Sequence, residues 1–123
     1  MVVEYADLAC PACALAHART GLDVRRAFRH FPLASRSPRV LPLAQAAEAA
    51  ALQGRFWEFA DSVYADQGRL DDPHLWERCE LLGIDLDRFE ADRRSAQVAA
   101  RVERDFREGI RAGVTGTPTH FRM

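Results

Sequence analysis

Val2-Val3-Glu4-Tyr5-Ala6-Asp7-Leu8-Ala9-Cys10-Pro11-Ala12-Cys13 is a strand-like run that ends in a C-P-x-C motif. An apolar β-type segment that stops at a cysteine, with proline in the favoured first turn of a helix, places the Cys10 sulfur at a helix N-terminus. Unsatisfied amide donors and the positive end of the helix dipole favour a thiolate there. They lower a cysteine pKa from about 8.5 into the range of roughly 3.5–7.5. Cys13, one turn further on, reaches the same sulfur. A disulfide closed over so few residues adds little folding stability, because loop-closure entropy grows with loop length, so the pair suits exchange better than stapling.

The rest of the chain limits the alternatives. Its 123 residues support one domain with a single ordinary core. The net charge of −1 argues against a polyanion-binding surface, and nucleic acid is not expected as a partner. All 17 Lys-plus-Arg positions are arginine, which fits a GC-rich genome and carries no functional weight. No basic, apolar and small-residue leader pattern precedes the first strand, and no apolar stretch of about 18 residues occurs. The chain as given is therefore expected to be cytoplasmic and to have no membrane span, with a periplasmic or extracellular location if a longer precursor exists. Three cysteines, two of them in C-x-x-C, do not form a secreted disulfide framework.

Outward from the motif, Ala14–Ala18 favours helix up to Thr20-Gly21, and Val24–Phe31 reads as a second strand closed by Pro32. The two strands and the helix form a β-α-β unit, hence a parallel pair with a right-handed crossover. Beyond it the periodicity turns helical. Leu41, Ala44, Ala47, Glu48 and Ala51 share one helix face, and Phe56, Phe59, Ala60, Val63 and Tyr64 share another. Asp72-Pro73 starts a helix with Leu75, Cys79 and Leu82, which ends at Gly83. Asp85 caps a short helix carrying Phe89, and Ser95 caps a longer one with Val98, Val102, Phe106 and Ile110 on one face. Gly113–Thr119 then interrupts the helices, and Thr119-His120-Phe121 begins another strand.

This order of elements resembles the DsbA-like thioredoxin-fold oxidoreductases. The residues that carry the likeness are the strand into C-P-A-C, Phe28-Arg29-His30-Phe31-Pro32-Leu33, Ala47-Glu48-Ala49-Ala50 with Gln53-Gly54-Arg55-Phe56-Trp57-Glu58, and Gly113–Thr119. The resemblance implies an α/β, thioredoxin-like fold with an all-helical insertion. It divides the chain into a thioredoxin-like part with the motif (1–38), the insertion (39–112), and a cis-proline loop with the start of a strand (113–123). It also implies a thiol:disulfide oxidoreductase needing no cofactor, with thiol- or disulfide-containing proteins as substrates and a redox partner.

The same resemblance implies the site. Cys10 matches the nucleophilic cysteine and Cys13 the buried resolving one. Pro118 matches a cis-proline opposite the pair. Thr117 matches the residue whose backbone pairs with a substrate strand. Glu4 matches a buried acid that moves a proton to or from the resolving thiol, and Pro11 and Ala12 lie between the cysteines where substrate docks. Three departures stand out: a first helix shorter by one to two turns, no histidine between the cysteines, and no hairpin and final helix after T-P-T. The second implies a less oxidising disulfide. The third makes the fold C-terminally truncated relative to the family, with an exposed strand edge and sheet face that favour a homodimer or a swapped dimer.

The same residues admit other chemistry. Cys10, Cys13 and His17 supply three zinc donors, but a structural zinc wants a fourth and no second pair is present. A glutathione-binding isomerase of the same fold, or a non-catalytic metal-binding or interaction module, are the alternative functions. His17 reads as a partly exposed helix residue and His30 as a packed strand residue. Cys79 and the aromatics Phe56, Trp57, Phe59 and Trp76 read as core. Arg25-Arg26 and Arg93-Arg94 read as solvated faces.

Overall fold

The computed structural model describes residues 1–21 and 24–123. The β-branched and aromatic residues of the first segment form β1 (Val2–Ala6). It is the middle strand of a sheet of order β2-β1-β3 among the described residues. β2 (Arg26–His30) lies parallel to it, with Val2 opposite Arg26 and Glu4 opposite Phe28. β3 (Thr119–Arg122) lies antiparallel on the other side, with Glu4 opposite His120. α1 (Pro11–Arg19) connects β1 to β2, as the β-α-β reading requires. β2 begins two residues later than expected, and Val24 is exposed.

Strand alternation sorts the sheet into two faces. Glu4, Ala6, Phe28 and His30 point toward the helical layer, while Tyr5 and Phe31 point the other way. On that second face Tyr5, Phe31 and Val114 form a small core with Phe106 and Phe121 at its margin. The far face is therefore covered by α6 (Ala96–Arg111), not bare.

The main core lies within the helices. α2 (Val40–Leu52) presents Leu43, Ala46, Ala47, Ala49 and Ala50 with no exposed surface. Its alanines let large side chains approach closely: Phe59 of α3 (Phe56–Tyr64), Leu75 and Cys79 of α4 (Asp72–Leu82), and Phe89 of α5 (Leu86–Arg93) fill the space. Cys79 is core, as expected. Asp85 and Ser95 cap their helices, accepting from the backbone N–H of Arg88 at 2.9 Å and Val98 at 3.2 Å. α4 is preceded by Asp71 as its cap, one residue before the expected Asp72. It ends at Gly83, whose φ of 70° is the left-handed conformation that glycine adopts without a Cβ penalty.

Several expectations are corrected. Ile110 is exposed, because each step of four residues overruns a full helical turn by about 40°. Its place on the buried face passes to Asp105 and Gly109. Asp105 accepts from the His30 backbone N–H at 3.1 Å and pairs with Arg101 at 3.3 Å, tying α6 to β2. Trp76 is partly exposed and donates to Glu90 instead of filling the core. Leu41 is likewise exposed. Arg26 and Arg93 are sequestered ion-pair residues rather than solvated ones: Arg26 pairs with Glu4, and Arg93 with Asp72 and Glu90.

Candidate active site

Cys10 occupies the N-cap of α1 with an extended backbone, and Pro11 stands at the first helical position, where its missing N–H costs no hydrogen bond. The turn leading into it is held from two sides. Asp7 accepts from the backbone N–H of Ala9 through Oδ1 at 2.9 Å, and its carbonyl accepts from Cys10 N–H at 3.0 Å. Gln67, between α3 and α4, donates from Nε2 to the carbonyls of Leu8 at 2.9 Å and Cys10 at 3.0 Å. One amide thus ties the helical layer to the motif. Nothing in the spacing around Gln67 marked it beforehand.

Both thiols are free and buried, Cys10 at 2% and Cys13 at 1% exposure, so burial alone does not distinguish them. Their electrostatics do. Burial is the largest single influence at Cys10 and opposes ionisation. It is outweighed by the Thr117 hydroxyl, the Cys13 backbone N–H and thiol, and the charge of Arg36, so the Cys10 thiol lies below its ordinary value. At Cys13 burial dominates, the neighbouring Cys10 adds to it, and the thiol is pushed up to about 12. Pro11 and Ala12, between them, are exposed.

The loop before β3 closes over this pair. The Thr117–Pro118 peptide bond is cis, and the Cys10 thiol points at the Thr117 carbonyl oxygen, 3.9 Å away. The Thr117 hydroxyl is buried without a partner of good geometry, which leaves it free to donate to a thiolate that forms at Cys10.

Glu4 is buried, as the resemblance implies, and it is fully partnered. Arg26 donates from Nη1 to Oε1 at 3.1 Å, and His120 Nε2 lies 2.8 Å from Oε2. The polar chain continues outward from Arg26, whose Nη2 lies 2.7 Å from His17 Nδ1, to Asp61, 2.5 Å from His17 Nε2. Trp57 stacks on His17 and lies under the Arg26 guanidinium, whose carbon is 4.4 Å from the ring centre. Both His17 nitrogens are engaged in this chain, away from any shared site with the cysteines. Among the described residues no group of three or more His, Cys, Asp or Glu side chains is arranged to hold a metal ion. Tyr64 packs against Cys13, and its hydroxyl is buried without a partner. Burial, then the charges of Cys13 and Glu4, push that hydroxyl's pKa upward. His30 is buried and pairs with Glu48 at 3.0 Å. His120, Arg26, Tyr64, Arg36 and Gln67 were not singled out as site residues from sequence. The sheet register and the return of distant loops bring them together.

Known proteins share this fold. A thioredoxin-like oxidoreductase from Silicibacter pomeroyi DSS-3 is 25% identical with a TM-score of 0.84, covering 98% of this chain and 72% of that one. Alpha-DsbA1 of Wolbachia pipientis is 25% identical with a TM-score of 0.78, covering 98% and 67%. In sequence, the chain is 42% identical over 129 residues to a Na(+)/H(+) antiporter NhaA 3 from Salinispora tropica, covering 98% of this chain and 19% of the antiporter. It is 40% identical over 127 residues to the Na(+)/H(+) antiporter NhaA of Herminiimonas arsenicoxydans, covering 98% and 20%. The chain thus spans about one fifth of the length of these relatives. No helix among the described residues is long and apolar enough to cross a membrane. The family model of the DSBA-like thioredoxin domain matches residues 1–122, and the chain belongs to that family.

Proposed function

We propose that this domain exchanges disulfides with protein thiols through Cys10 and Cys13. The observation that carries the proposal is the contrast within one helical turn: a thiol favoured toward ionisation at the N-cap of α1, and a second thiol held protonated one turn later. The Cys10 thiolate attacks one sulfur of a protein disulfide, forming a mixed disulfide and releasing the other substrate sulfur as a thiolate. Cys13 then loses its proton and attacks Cys10, the Cys10–substrate bond breaks, and the second substrate thiolate leaves. The domain ends oxidised and the substrate reduced. The reverse sequence oxidises a substrate dithiol. No cofactor takes part.

In this proposal Thr117 and Pro118 form the wall along which an extended substrate segment lies, with the exposed Pro11 and Ala12 on its other side. Glu4 serves the proton balance of Cys13. The antiporter relatives support one context for the domain, as a redox unit carried on a cation/proton transporter, whose substrates are then protein thiols near that transporter.

Trapping tests the reaction. The Cys13→Ser chain, mixed with oxidised glutathione or an oxidised protein substrate, is expected to accumulate a mixed disulfide that peptide mass spectrometry places on Cys10. The Cys10→Ser chain is expected to form none there and little at Cys79, whose buried thiol is pushed up to about 11. No adduct on Cys10 with either oxidant would remove the proposal.

A further inference from the structure

The resolving step needs a proton path, because the Cys13 thiol is buried and must lose its proton to attack Cys10, or regain it when it leaves. Glu4 is buried too and does not itself meet solvent. Its neighbours differ in what they can do with a proton. Arg26 from β2 donates to Glu4, and a guanidinium offers no acceptor for an incoming proton. Tyr64 from α3 packs beside the cysteine pair, burial and then the charges of Cys13, Glu4 and Asp7 disfavour its ionised form, and its hydroxyl has no hydrogen-bond partner. His17 of α1 and Asp61 of α3 reach Glu4 only through Arg26. Arg122, two residues along β3, shares the His120 face. His120 alone among these partners combines direct contact with Glu4, at 2.8 Å, with a side chain 40% exposed to water.

The geometry points to His120 as the group that carries protons between Glu4 and solvent during the resolving step, an inference that rests on the proposed exchange reaction. The placement follows from register: Glu4 and His120 stand directly opposite in the antiparallel pair of β1 and β3, so their side chains share a face. As Cys13 attacks the mixed disulfide, its proton passes to the Glu4 carboxylate and from Glu4 to the His120 ring, 2.8 Å away. Water then takes it up. The released substrate thiolate is protonated from solvent, so the step is balanced. In the oxidising direction the proton returns by the same groups to the departing Cys13 thiolate. An imidazole suits this role because one ring nitrogen can accept a proton while the other gives one up.

The test uses 5,5′-dithiobis(2-nitrobenzoate), which reports the two chemical steps separately. Attack by Cys10 releases one coloured thiolate, and resolution by Cys13 releases a second. In His120→Gln, which keeps a hydrogen-bond donor but cannot relay a proton, the rate of the second release relative to the first is expected to fall about tenfold. That is below the range of roughly 10²–10⁴ typical of a group touching the reacting atom. The dependence of the second release on pH should also differ from that of the natural chain. In His120→Ala, added imidazole should restore the second release. An unchanged ratio and profile, equal slowing of both releases, or no imidazole rescue would each overturn the relay while leaving exchange standing. Absence of the first release from the natural chain would overturn the exchange reaction, and the relay with it.

Discussion

The Cys10 thiol points at the carbonyl oxygen of Thr117 across 3.9 Å, although 107 positions separate the two residues in the chain. That approach sets one end of the active-site helix against the loop that starts β3. Cys10 and Cys13 nevertheless differ, because burial and the neighbouring Cys10 dominate at Cys13 although the two are one turn apart.

The first prediction concerns which thiol reacts. With Cys10 held below its ordinary pKa and Cys13 pushed up to about 12, iodoacetamide should label Cys10 first and Cys13 only slowly at neutral pH. Thiolates, not thiols, are the nucleophiles. Peptide mapping of the reduced chain after short exposure checks this. Preferential labelling of Cys13 would reverse the two assignments.

Thr117→Val replaces the buried hydroxyl with a methyl group of similar volume. Burial is the largest influence on Cys10 and raises its pKa, while the Thr117 hydroxyl is the leading influence against it. Removing the hydroxyl should therefore raise the Cys10 pKa and slow alkylation at neutral pH, with little change in unfolding midpoint. Ultraviolet thiolate absorbance followed against pH measures the shift directly, and a curve identical to that of the natural chain would deny Thr117 this role.

Much of this site was legible in the sequence because its central feature is local. C-P at the end of a strand fixes a cysteine at a helix start whatever the rest of the chain does. The helical stripes around Phe59 and Phe89 were equally legible, since periodicity is a property of neighbouring residues. The partners of Glu4 were not. Arg26 reads as a solvated charge until the β1–β2 register sets it on Glu4's face, and His120 reads as a strand residue until β3 pairs antiparallel with β1. Ile110 failed for a different reason: a four-residue repeat followed over three steps rotates away from the face on which it began. Gln67 carried no signal, because its role comes from where a loop between helices lies.

Two carboxylates should shift stability with pH in opposite directions. Asp7 is buried, burial raises its pKa, and its Oδ2 has no hydrogen-bond partner beyond a loose pairing with Arg36 at 3.5 Å. The folded state thus binds this proton more tightly than the unfolded one, so the ionised form of Asp7 costs stability, and that cost is relieved as pH falls through the folded pKa. Glu48 is the reverse case. The hydrogen bond from His30 is the largest influence and lowers its pKa, so its contribution is present above the unfolded value and is lost as pH falls through the folded one. Urea midpoints between about pH 2 and pH 8 should rise for Asp7→Asn at the upper end and converge with the natural chain as pH falls. Glu48→Gln should fall at the upper end and converge only once the pH drops below the lowered Glu48 value. Parallel curves for all three chains would show that neither group is linked to folding in this way.

At Gly109, α6 lies close against the sheet. A Cβ placed there would stand 2.7 and 2.8 Å from two ring carbons of Phe31 and 3.0 Å from the Tyr5 ring. Phe31 cannot easily yield, since it is buried, stacked on Phe106 at 4.6 Å between ring centres and edge-on to Tyr5 at 6.3 Å. In an exposed helix interior Gly→Ala is stabilising by roughly 0.5–1 kcal/mol, because alanine loses less backbone entropy on folding. Overpacking a tight core costs about 1–3 kcal/mol. Because the contacts at Gly109 are far shorter than van der Waals separation, the second effect should win. Gly109→Ala is therefore expected to lower the unfolding free energy by about 1–2 kcal/mol, measured by urea denaturation. The double variant Gly109→Ala, Phe31→Leu, which removes the ring the methyl meets, should lose less than the sum of the two single changes. A Gly109→Ala chain more stable than the natural one would show that α6 stands off the sheet far enough to admit a side chain.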